Sequence, residues 1–343
     1  MKRPTLCDIA KIAKVSHVTV SMALRSHPRI SQATRERVQK IAKEIGYHPD
    51  PVLAALMVYR HGTKPSGNEE TLAWINVWPD PTELERIYGA YWNGALERSQ
   101  ELGYKLAEFR LSEFAMNAKR LSRALHARNV RGVLLPPQFH NRAHLNLDWD
   151  HFSAITFGFT LAAPRLHVVT NAQFRSVVTA MRALRRLGHR RIGFALEKFI
   201  DERCDHNYSG GYLAEQFRYK TAEKMPAFLI VHTEERMKRN FQAWYHKYQP
   251  DAIITMNWPV KAWMDEIGCH EGEDYSLAML AHPTPMLGGI DQNESLTGRT
   301  AVDLLVGMIH RSERGIPAIP LRTLVEGSWV GGKSIRNLVS SAD

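Results

Sequence analysis

Cysteines and long apolar segments are both scarce in this sequence. The three cysteines, Cys7, Cys204 and Cys269, are spread over 343 residues, which does not suggest a disulfide framework. No run of about 18 apolar residues occurs, and the N-terminus has no apolar signal stretch. We therefore expect a protein that is neither secreted nor inserted in a membrane.

Acidic residues are fewer than basic ones. The chain has 35 Asp and Glu against 45 Lys and Arg, which gives a formal net charge of +10. Residues 1–50 alone hold ten basic and four acidic side chains, so more than half of the excess lies in about a seventh of the length. This imbalance favours a polyanionic partner for the N-terminal part.

Residues 5–25 have the pattern of a helix-turn-helix. Thr5 can cap a first helix, and apolar residues recur at helical spacing over about residues 6–13. Ser16 can cap a second helix after a short turn, and Ser31 can cap a third. Three short helices would enclose one small core. A basic bundle that merely tethers a partner fits the charge equally well.

The order of these residues is more specific than their charge. The run T-L-x-D-I-A-x-x-A-x-V-S-x-x-T-V-S begins at Thr5, S-x-x-T-R-x-R-V begins at Ser31, and I-G-Y-x-P begins at Ile45. Together they resemble the DNA-binding headpiece of the LacI/GalR family of bacterial transcription regulators. The resemblance implies a cytoplasmic homodimer, associated with the nucleoid when it binds operator DNA, that usually acts as a repressor.

The second helix of a helix-turn-helix presents the residues that read DNA bases. By resemblance these are His17, Val18 and Met22. Family members very often have arginine at the third position, and methionine cannot make the bidentate contact of arginine with guanine. The alternative for Met22 is packing against the neighbouring helix. The resemblance assigns phosphate contacts, which set register rather than sequence, to Thr5, Ser16, Thr19, Ser21, Arg25, Ser31, Thr34 and Tyr47.

Residues 49–70 are expected to form a hinge helix and a linker. Asp50 and Pro51 suit the start of a short helix that would run to Met57. By resemblance, Leu56 inserts into the minor groove as a wedge, at a cost of a few kcal/mol of unstacking that is offset by contacts to bent DNA. The alternative is a plain linker between domains.

From Thr71 onward, short apolar runs alternate with longer helix-periodic ones, which predicts parallel sheets wrapped by helices. Strands are expected at 72–77, 104–111, 130–135, 154–158, 191–196, 227–232, 251–256 and 276–280. Helices are expected at 85–102, 117–128, 171–187, 210–219, 233–248 and 259–267. The fold class is therefore α/β, with an all-α helix-turn-helix headpiece at residues 1–48, a hinge, and a core at residues 71–343.

About 270 residues are too many for one open sheet, so we expect two lobes. Later motifs, among them the closing run that begins at Gly298, imply the two-lobed core of periplasmic sugar-binding proteins, with chain crossings near residues 170, 289 and 324. The N-lobe would hold about 71–170 and 289–324, and the C-lobe about 171–288 and 325–340.

A ligand of such a core binds in the cleft between the lobes. By spacing, Asn207 or Tyr208 stands where the family has an effector-binding arginine, and Ala281 or His282 stands where it has an aspartate. Both charged residues that hold the effector in the family are therefore missing at these positions. Asn257 matches a pocket residue of the family. Trp78 and Asp80 end a strand, where they would contact a polar ring or simply pack at the rim. The effector stays open, with a sugar as one candidate.

Catalytic motifs are weak. Residues 327–334 satisfy the phosphate-loop pattern G-x-x-x-x-G-K-[ST], but a nucleotide-hydrolysing core needs more chain after it than the nine residues that follow. The pair His140 and His144 and the cluster at Cys204–His206 lack a metal-site pattern. We expect no enzyme, cofactor or metal, and a regulator whose operator affinity changes when a small molecule binds. The alternative is a small-molecule receptor or enzyme on the same core, with the N-terminal helices serving partner binding.

Overall fold

Three short helices form the N-terminal domain. The computed structural model describes residues 4–24, 30–47, 70–231, 235–256 and 258–339. Helices α1 (Leu6–Ala13), α2 (His17–Leu24) and α3 (Gln32–Glu44) confirm the three helices predicted from the sequence. The small core between them contains, fully or almost fully buried, Ile9, Ala13, Val20, Ala23, Val38 and Ala42.

Local hydrogen bonds fix where these helices begin and end. The backbone N–H and the hydroxyl of Thr5 both donate to the Asp8 carboxylate, at 2.8 and 2.7 Å. Lys14 ends α1 in a left-handed conformation, with φ of 53°. The Ser16 hydroxyl then accepts the Thr19 N–H at 3.0 Å, which caps α2 as predicted. Ser31 caps α3 in the same way.

The first lobe is built on a six-stranded sheet in the order β13-β7-β5-β3-β1-β2. All of its recorded pairings are parallel. Its strands are β1 (Thr71–Asn76), β2 (Lys105–Arg110), β3 (Gly132–Leu135), β5 (Ser153–Phe157), β7 (His167–Asn171) and β13 (Arg322–Val325). Two short strands, β4 (Ala143–His144) and β6 (Leu161–Ala163), pair outside this sheet.

Helices cover both faces of the first sheet. Their bounds are α4 (Pro81–Glu101), α5 (Ala118–Ala127) and α11 (Glu294–Arg311). Ala73 and Ile75 of β1 pack in one apolar cluster with Leu121 and Leu125 of α5. The alternate residues of the strand point to the other face, where α4 and α11 pack.

The second lobe repeats the arrangement around the sheet β14-β12-β11-β10-β8-β9. Its strands are β8 (Ile192–Glu197), β9 (Phe228–Ile230), β10 (Ala252–Thr255), β11 (Ser276–Met279), β12 (Gly289–Asp291) and β14 (Ser328–Val330). Only β14 is antiparallel to its neighbour in the recorded pairings of this sheet. Its helices are α6 (Gln173–Arg186), α7 (Lys198–Arg203), α8 (Asn207–Gln216), α9 (Glu235–Tyr248) and α10 (Trp258–Asp265).

The chain passes between the two sheets three times. It leaves the first sheet after Asn171, returns after Asp291, and leaves again after Val325. The sequence placed these crossings near residues 170, 289 and 324. None of the described helices combines the length and the apolar composition that crossing a bilayer requires.

The eight predicted strands are confirmed, with their ends displaced by at most two residues. Two helix starts were predicted too late. Helix α4 begins at Pro81 rather than 85, because the Asp80 carboxylate accepts the Thr82 N–H at 2.9 Å and caps the helix there. Helix α8 begins at Asn207 rather than at 210.

Two glycines allow α4 and α11 to pack backbone against backbone. A Cβ at Gly298 would lie 2.1 Å from the Tyr91 carbonyl oxygen, and one at Gly94 would lie 1.9 Å from the Ser295 carbonyl oxygen. Real Cβ atoms do not approach so closely, so either substitution would push the two helices apart.

We expect Gly298→Ala to lower the free energy of unfolding by about 1–3 kcal/mol, because overpacking forces the α4–α11 interface open. Urea denaturation followed by circular dichroism measures the change. Gly307→Ala in the same helix is the matched control, since its Cβ would meet only the flexible end of the Arg311 side chain, at 3.1 Å. The control should be neutral or stabilising by up to about 1 kcal/mol. Equal destabilisation by both variants would contradict this account.

Candidate functional site

The N-terminal domain presents the start of α2 to solvent. His17 is exposed, and Met22 is half-buried but is not among the recorded side chains that pack on the headpiece core. The backbone of Val18 lies in the first turn of α2. The arrangement leaves the imidazole of His17 free to contact a surface that approaches this helix.

Polar groups surround that surface. Thr5, Ser16 and Ser31 are exposed at the starts of the three helices, and Thr19 and Thr34 are half-buried beside them. Helix starts also carry unsatisfied N–H groups and partial positive charge, which bind phosphate. The ring of Tyr47 packs against the headpiece core. Ser21 lies in α2, whereas Arg25, the hinge with Leu56, and Asn257 lie outside the described residues.

A cavity of about 380 Å³ lies between the two lobes. It is lined by residues at or just beyond the carboxyl ends of strands from both sheets, among them Trp78 after β1, Asn171 in β7, Glu197 in β8 and Gln292 after β12. Ligands of open parallel sheets bind in this position because the strand ends leave a crevice there.

Aromatic rings form much of the cavity wall. Trp78 is almost fully buried, donates its indole N–H to the Pro137 carbonyl oxygen at 2.8 Å, and lies 5.2 Å from the Phe139 ring. Tyr88 and Tyr91 continue the wall, with ring centroids 5.6 Å apart. Such rings suit the apolar face of a flat or cyclic ligand.

A buried polar network forms the opposite side. Gln292 donates its amide N–H to the Tyr208 hydroxyl at 2.8 Å, and Asn171 donates to the Gln292 side-chain oxygen at 2.7 Å. Gln173 donates to the Asn171 side-chain oxygen at 2.9 Å. Burial raises the pKa of Tyr208 well above its usual value, so the hydroxyl keeps its proton and can donate a hydrogen bond to a ligand.

Arg203 crosses the cleft. It ends α7 in the second lobe, yet its guanidinium donates to the carbonyl oxygens of Gln138 and Phe139 in the first lobe, both at 2.8 Å. Only 9% of the residue is exposed, and its guanidinium lies 5.2 Å from the Phe199 ring. The cleft therefore contains a positively charged side chain, that of Arg203. The spacing of the family motif did not locate it, because that spacing pointed to Asn207 or Tyr208.

Carboxyl groups also line the cleft, among them those of Glu197 and Glu294. Burial raises the pKa of both Glu197 and Glu294 above the usual range. Glu294 begins α11, and its carboxylate lies 3.8 Å from the His282 imidazole, which is 69% exposed at the rim. These groups can accept hydrogen bonds from hydroxyls or amines.

Of the effector-cleft residues predicted from the sequence, the structure places Trp78, Tyr208 and His282 on the cavity wall. Asp80 does not line the cavity, because its carboxylate is used at the exposed start of α4. Asn207 does not line it either, because its side chain donates to the Cys204 carbonyl oxygen at 2.6 Å. Sequence reasoning missed Tyr88, Tyr91, Arg203, Gln292 and Glu294, which no spacing rule singled out.

A serine, a histidine and an aspartate lie in a row in the second lobe. The Ser276 hydroxyl is 3.1 Å from His189 Nε2, and His189 Nδ1 is 3.3 Å from the Asp251 carboxylate. Ser276 and His189 are completely buried, and the Ser276 hydroxyl accepts the Arg336 N–H at 2.8 Å. A substrate has no access to this hydroxyl, so the group anchors the C-terminal segment.

Comparison with known proteins identifies the N-terminal domain. Residues 5–50 match the family model described as "Bacterial regulatory proteins, lacI family". Over 48 residues the chain is 54% identical to the HTH-type transcriptional repressor CytR of Escherichia coli strain K12. That alignment covers 14% of each chain, so the chain spans about a seventh of the length of the curated relatives it matches first.

The comparison of folds extends over nearly the whole chain. A structure described as the transcriptional regulator CelR in complex with cellobiose matches with a TM-score of 0.54 and 20% identity, covering 97% of this chain and 100% of that one. A lac repressor dimer bound to operator and the anti-inducer ONPF matches with a TM-score of 0.54 and 18% identity, covering 98% and 100%. The predicted fold class and the predicted resemblance to the family are confirmed.

We expect Arg203→Ala to lower the free energy of unfolding by about 1–3 kcal/mol, because one buried and one partly buried carbonyl oxygen lose a charged donor. Hydrogen exchange of residues 136–141 should rise at the same time. Arg322→Ala is the matched control, since Arg322 also reaches across the lobes, to Asp205 at 3.7 Å, but both partners are more than half exposed. Exposed ion pairs contribute about 0–1 kcal/mol. A control as damaging as Arg203→Ala would show that burial is not the cause.

We expect Glu294→Gln to stabilise the protein at neutral pH. Because burial raises the pKa of Glu294 in the folded state, ionisation at higher pH costs folding free energy, and the amide removes that cost. The gain should vanish as the pH falls through the raised pKa. Glu313→Gln should do the opposite: Arg311 lowers the pKa of Glu313, so the substitution destabilises at neutral pH and loses its effect in acid. Unfolding midpoints over a pH series test both signs.

Proposed function

We propose that this protein is a transcription regulator that acts as a repressor. The proposal rests on the lacI-family domain at its N-terminus and on the cleft in its core. The protein binds operator DNA, and a small molecule in the cleft changes its affinity for that DNA. The observation that carries the proposal is the match of residues 5–50 to the family model, in a chain whose first 50 residues hold +6 of its +10 charge.

DNA sequence is read by the start of α2. His17, Val18 and Met22 face the base edges of the major groove, while the helix-capping hydroxyls, Tyr47 and Arg25 contact phosphate. Met22 supports this role because it stands outside the recorded headpiece core. Its thioether offers apolar contact, for example to a thymine methyl group, where an arginine would bind guanine.

Two copies bind one operator. The repressor dimer among the structural neighbours is described as bound to operator, and two identical headpieces related by a two-fold axis fit half-sites about one helical turn apart. We further propose that Leu56, which lies outside the described residues, inserts between base pairs at the centre of the site. The domain limits proposed for this chain are 1–48, 49–70 and 71–343, and it works in the cytoplasm.

The effector binds between the lobes. The cavity has aromatic walls from the first lobe and the Tyr208 hydroxyl from the second. A bound molecule would therefore contact both lobes and change how far the cleft between them closes. A sugar fits this chemistry because its C–H faces stack on rings while its hydroxyls meet the polar network. The neighbour CelR is described as a complex with cellobiose. We propose that the protein binds its effector and does not transform it chemically.

The second candidate is a receptor or enzyme on the same core, with the N-terminal helices serving another partner. A chain without residues 1–60 separates the two. For a regulator, this truncation should abolish DNA binding and preserve ligand binding, whereas for the second candidate the principal activity should be unchanged.

Selection from random DNA with the purified full-length protein tests the proposal. We expect a site with two-fold symmetry and an affinity that falls steeply with salt, because phosphate contacts release counterions. Repeating the selection with a panel of sugars and nucleobases should identify the effector by its change in affinity. Binding without a preferred symmetric site, or without salt dependence, would contradict the proposal.

We expect Met22→Arg to shift preference toward guanine at one operator position by about 1–3 kcal/mol, because arginine adds a bidentate contact. The same selection measures it. Tyr47→Phe is the control: it removes a phosphate contact but keeps the ring that packs on the core, so affinity should fall for all sequences alike. If Met22→Arg returns the parental site, Met22 does not read bases.

A further inference from the structure

Two histidines and an aspartate meet on the surface of the first lobe, away from the cleft residues. His126 lies in the last turn of α5, Asp148 precedes a single 3₁₀ turn just before β5, and His151 is the last residue of that turn. Their ligand atoms all lie within 4.8 Å of one another. The sequence predicted no metal site here because the residues of the two segments become neighbours only in the folded lobe.

Two of the three separations between ligand atoms suit a small tetrahedral ion. The Asp148 carboxylate oxygen Oδ2 is 3.0 Å from His151 Nδ1 and 3.6 Å from His126 Nε2. Zinc binds imidazole nitrogen and carboxylate oxygen at about 2.0–2.2 Å, so two of its ligands at a tetrahedral angle stand about 3.3 Å apart. The two measured separations lie on either side of that value.

The two segments are held in place without any ion. The backbone N–H of Asp148 donates to the Ser122 hydroxyl of α5 at 3.0 Å. Trp149 is buried and donates to the Leu145 carbonyl oxygen at 3.2 Å, and Phe152 is completely buried beneath the His126 ring, 5.3 Å away. Because the scaffold is already rigid, an ion needs only small side-chain rotations to bind.

Solvent reaches all three groups. The side chains of His126, Asp148 and His151 are 37%, 53% and 53% exposed, and the two imidazole rings stand edge to face with centroids 4.2 Å apart. An ion can therefore enter directly, and one coordination position stays open to water.

We propose that His126, Asp148 and His151 form a surface site for a divalent transition metal, with Zn²⁺ as the best-fitting ion and water as the fourth ligand. Two nitrogen donors and one oxygen donor select against Mg²⁺ and Ca²⁺, which prefer oxygen ligands in larger number. The bound ion would cross-link α5 to the turn that leads into β5, and it would stabilise the first lobe independently of DNA or effector.

Titration of untagged full-length protein with ZnCl₂, followed by isothermal calorimetry, tests the site. We expect one ion bound at this site per chain, an unfolding temperature that rises with Zn²⁺, and X-ray absorption showing nitrogen and oxygen ligands. His126→Ala, His151→Ala and Asp148→Asn should each weaken this binding by at least about tenfold. MgCl₂ should produce no effect.

His246→Ala is the matched control, because His246 is an exposed histidine on α9 in the other lobe, and it should bind Zn²⁺ as the parent does. The unfolding temperature of each variant without metal checks that all four fold alike. Zn²⁺ binding that survives in all three site variants, or a parent protein that binds no Zn²⁺, would overturn the proposal. The cluster would then be only a carboxylate shared between two imidazoles.

Discussion

The architecture depends on the hydrogen bonds among Asn171, Gln292 and Tyr208, because they join the two sheets where the chain crosses from one to the other. Asn171 ends β7 and Gln292 follows β12, so two of the three crossing segments are tied directly to each other. Gln292 also donates to the Leu280 carbonyl oxygen. Buried amides are costly without partners, so this network fixes the relative position of the strand ends that line the cavity.

The N-terminal headpiece and the cleft are stabilised by different kinds of interaction. The headpiece has a core of small and medium-sized side chains, with helix caps that fix each helix start, and its exposed surface is polar and basic. The cleft has large rings and buried charged groups whose properties depend on both lobes. Arg203 illustrates the difference, because its charge is satisfied by backbone carbonyl oxygens of the opposite lobe. A small headpiece with its own core is therefore combined with a two-lobed core whose cleft depends on contacts between the lobes.

Local sequence signals predicted the headpiece and most of the sheet. Capping residues such as Ser16 and Ser31 act within three or four residues, and buried strands such as 132–135 are continuous apolar runs, so both can be recognised in the sequence. Strands β7, β12, β13 and β14 were not assigned as strands; β13 and β14 are largely exposed, so they lack the continuous apolar run of a buried strand. Helix α11 was not among the predicted helices, because Gly298 and Gly307 weaken its helical sequence pattern. The cleft was predicted least well. The side chains of Asp80 and Asn207 form hydrogen bonds with backbone groups close to them in the sequence. Arg203 and Glu294 come to line the cleft only when the two lobes pack together.

Arg203 joins the two lobes in a way that leaves the cavity wall free to change over time. Its two acceptors at Gln138 and Phe139 are main-chain oxygens, which any amino acid at those positions would supply. The Phe139 side chain, by contrast, lines the cavity. Substitutions there can alter the shape of the cavity without removing the contact between the lobes, so cavity shape and lobe contact are separable traits on which selection can act independently.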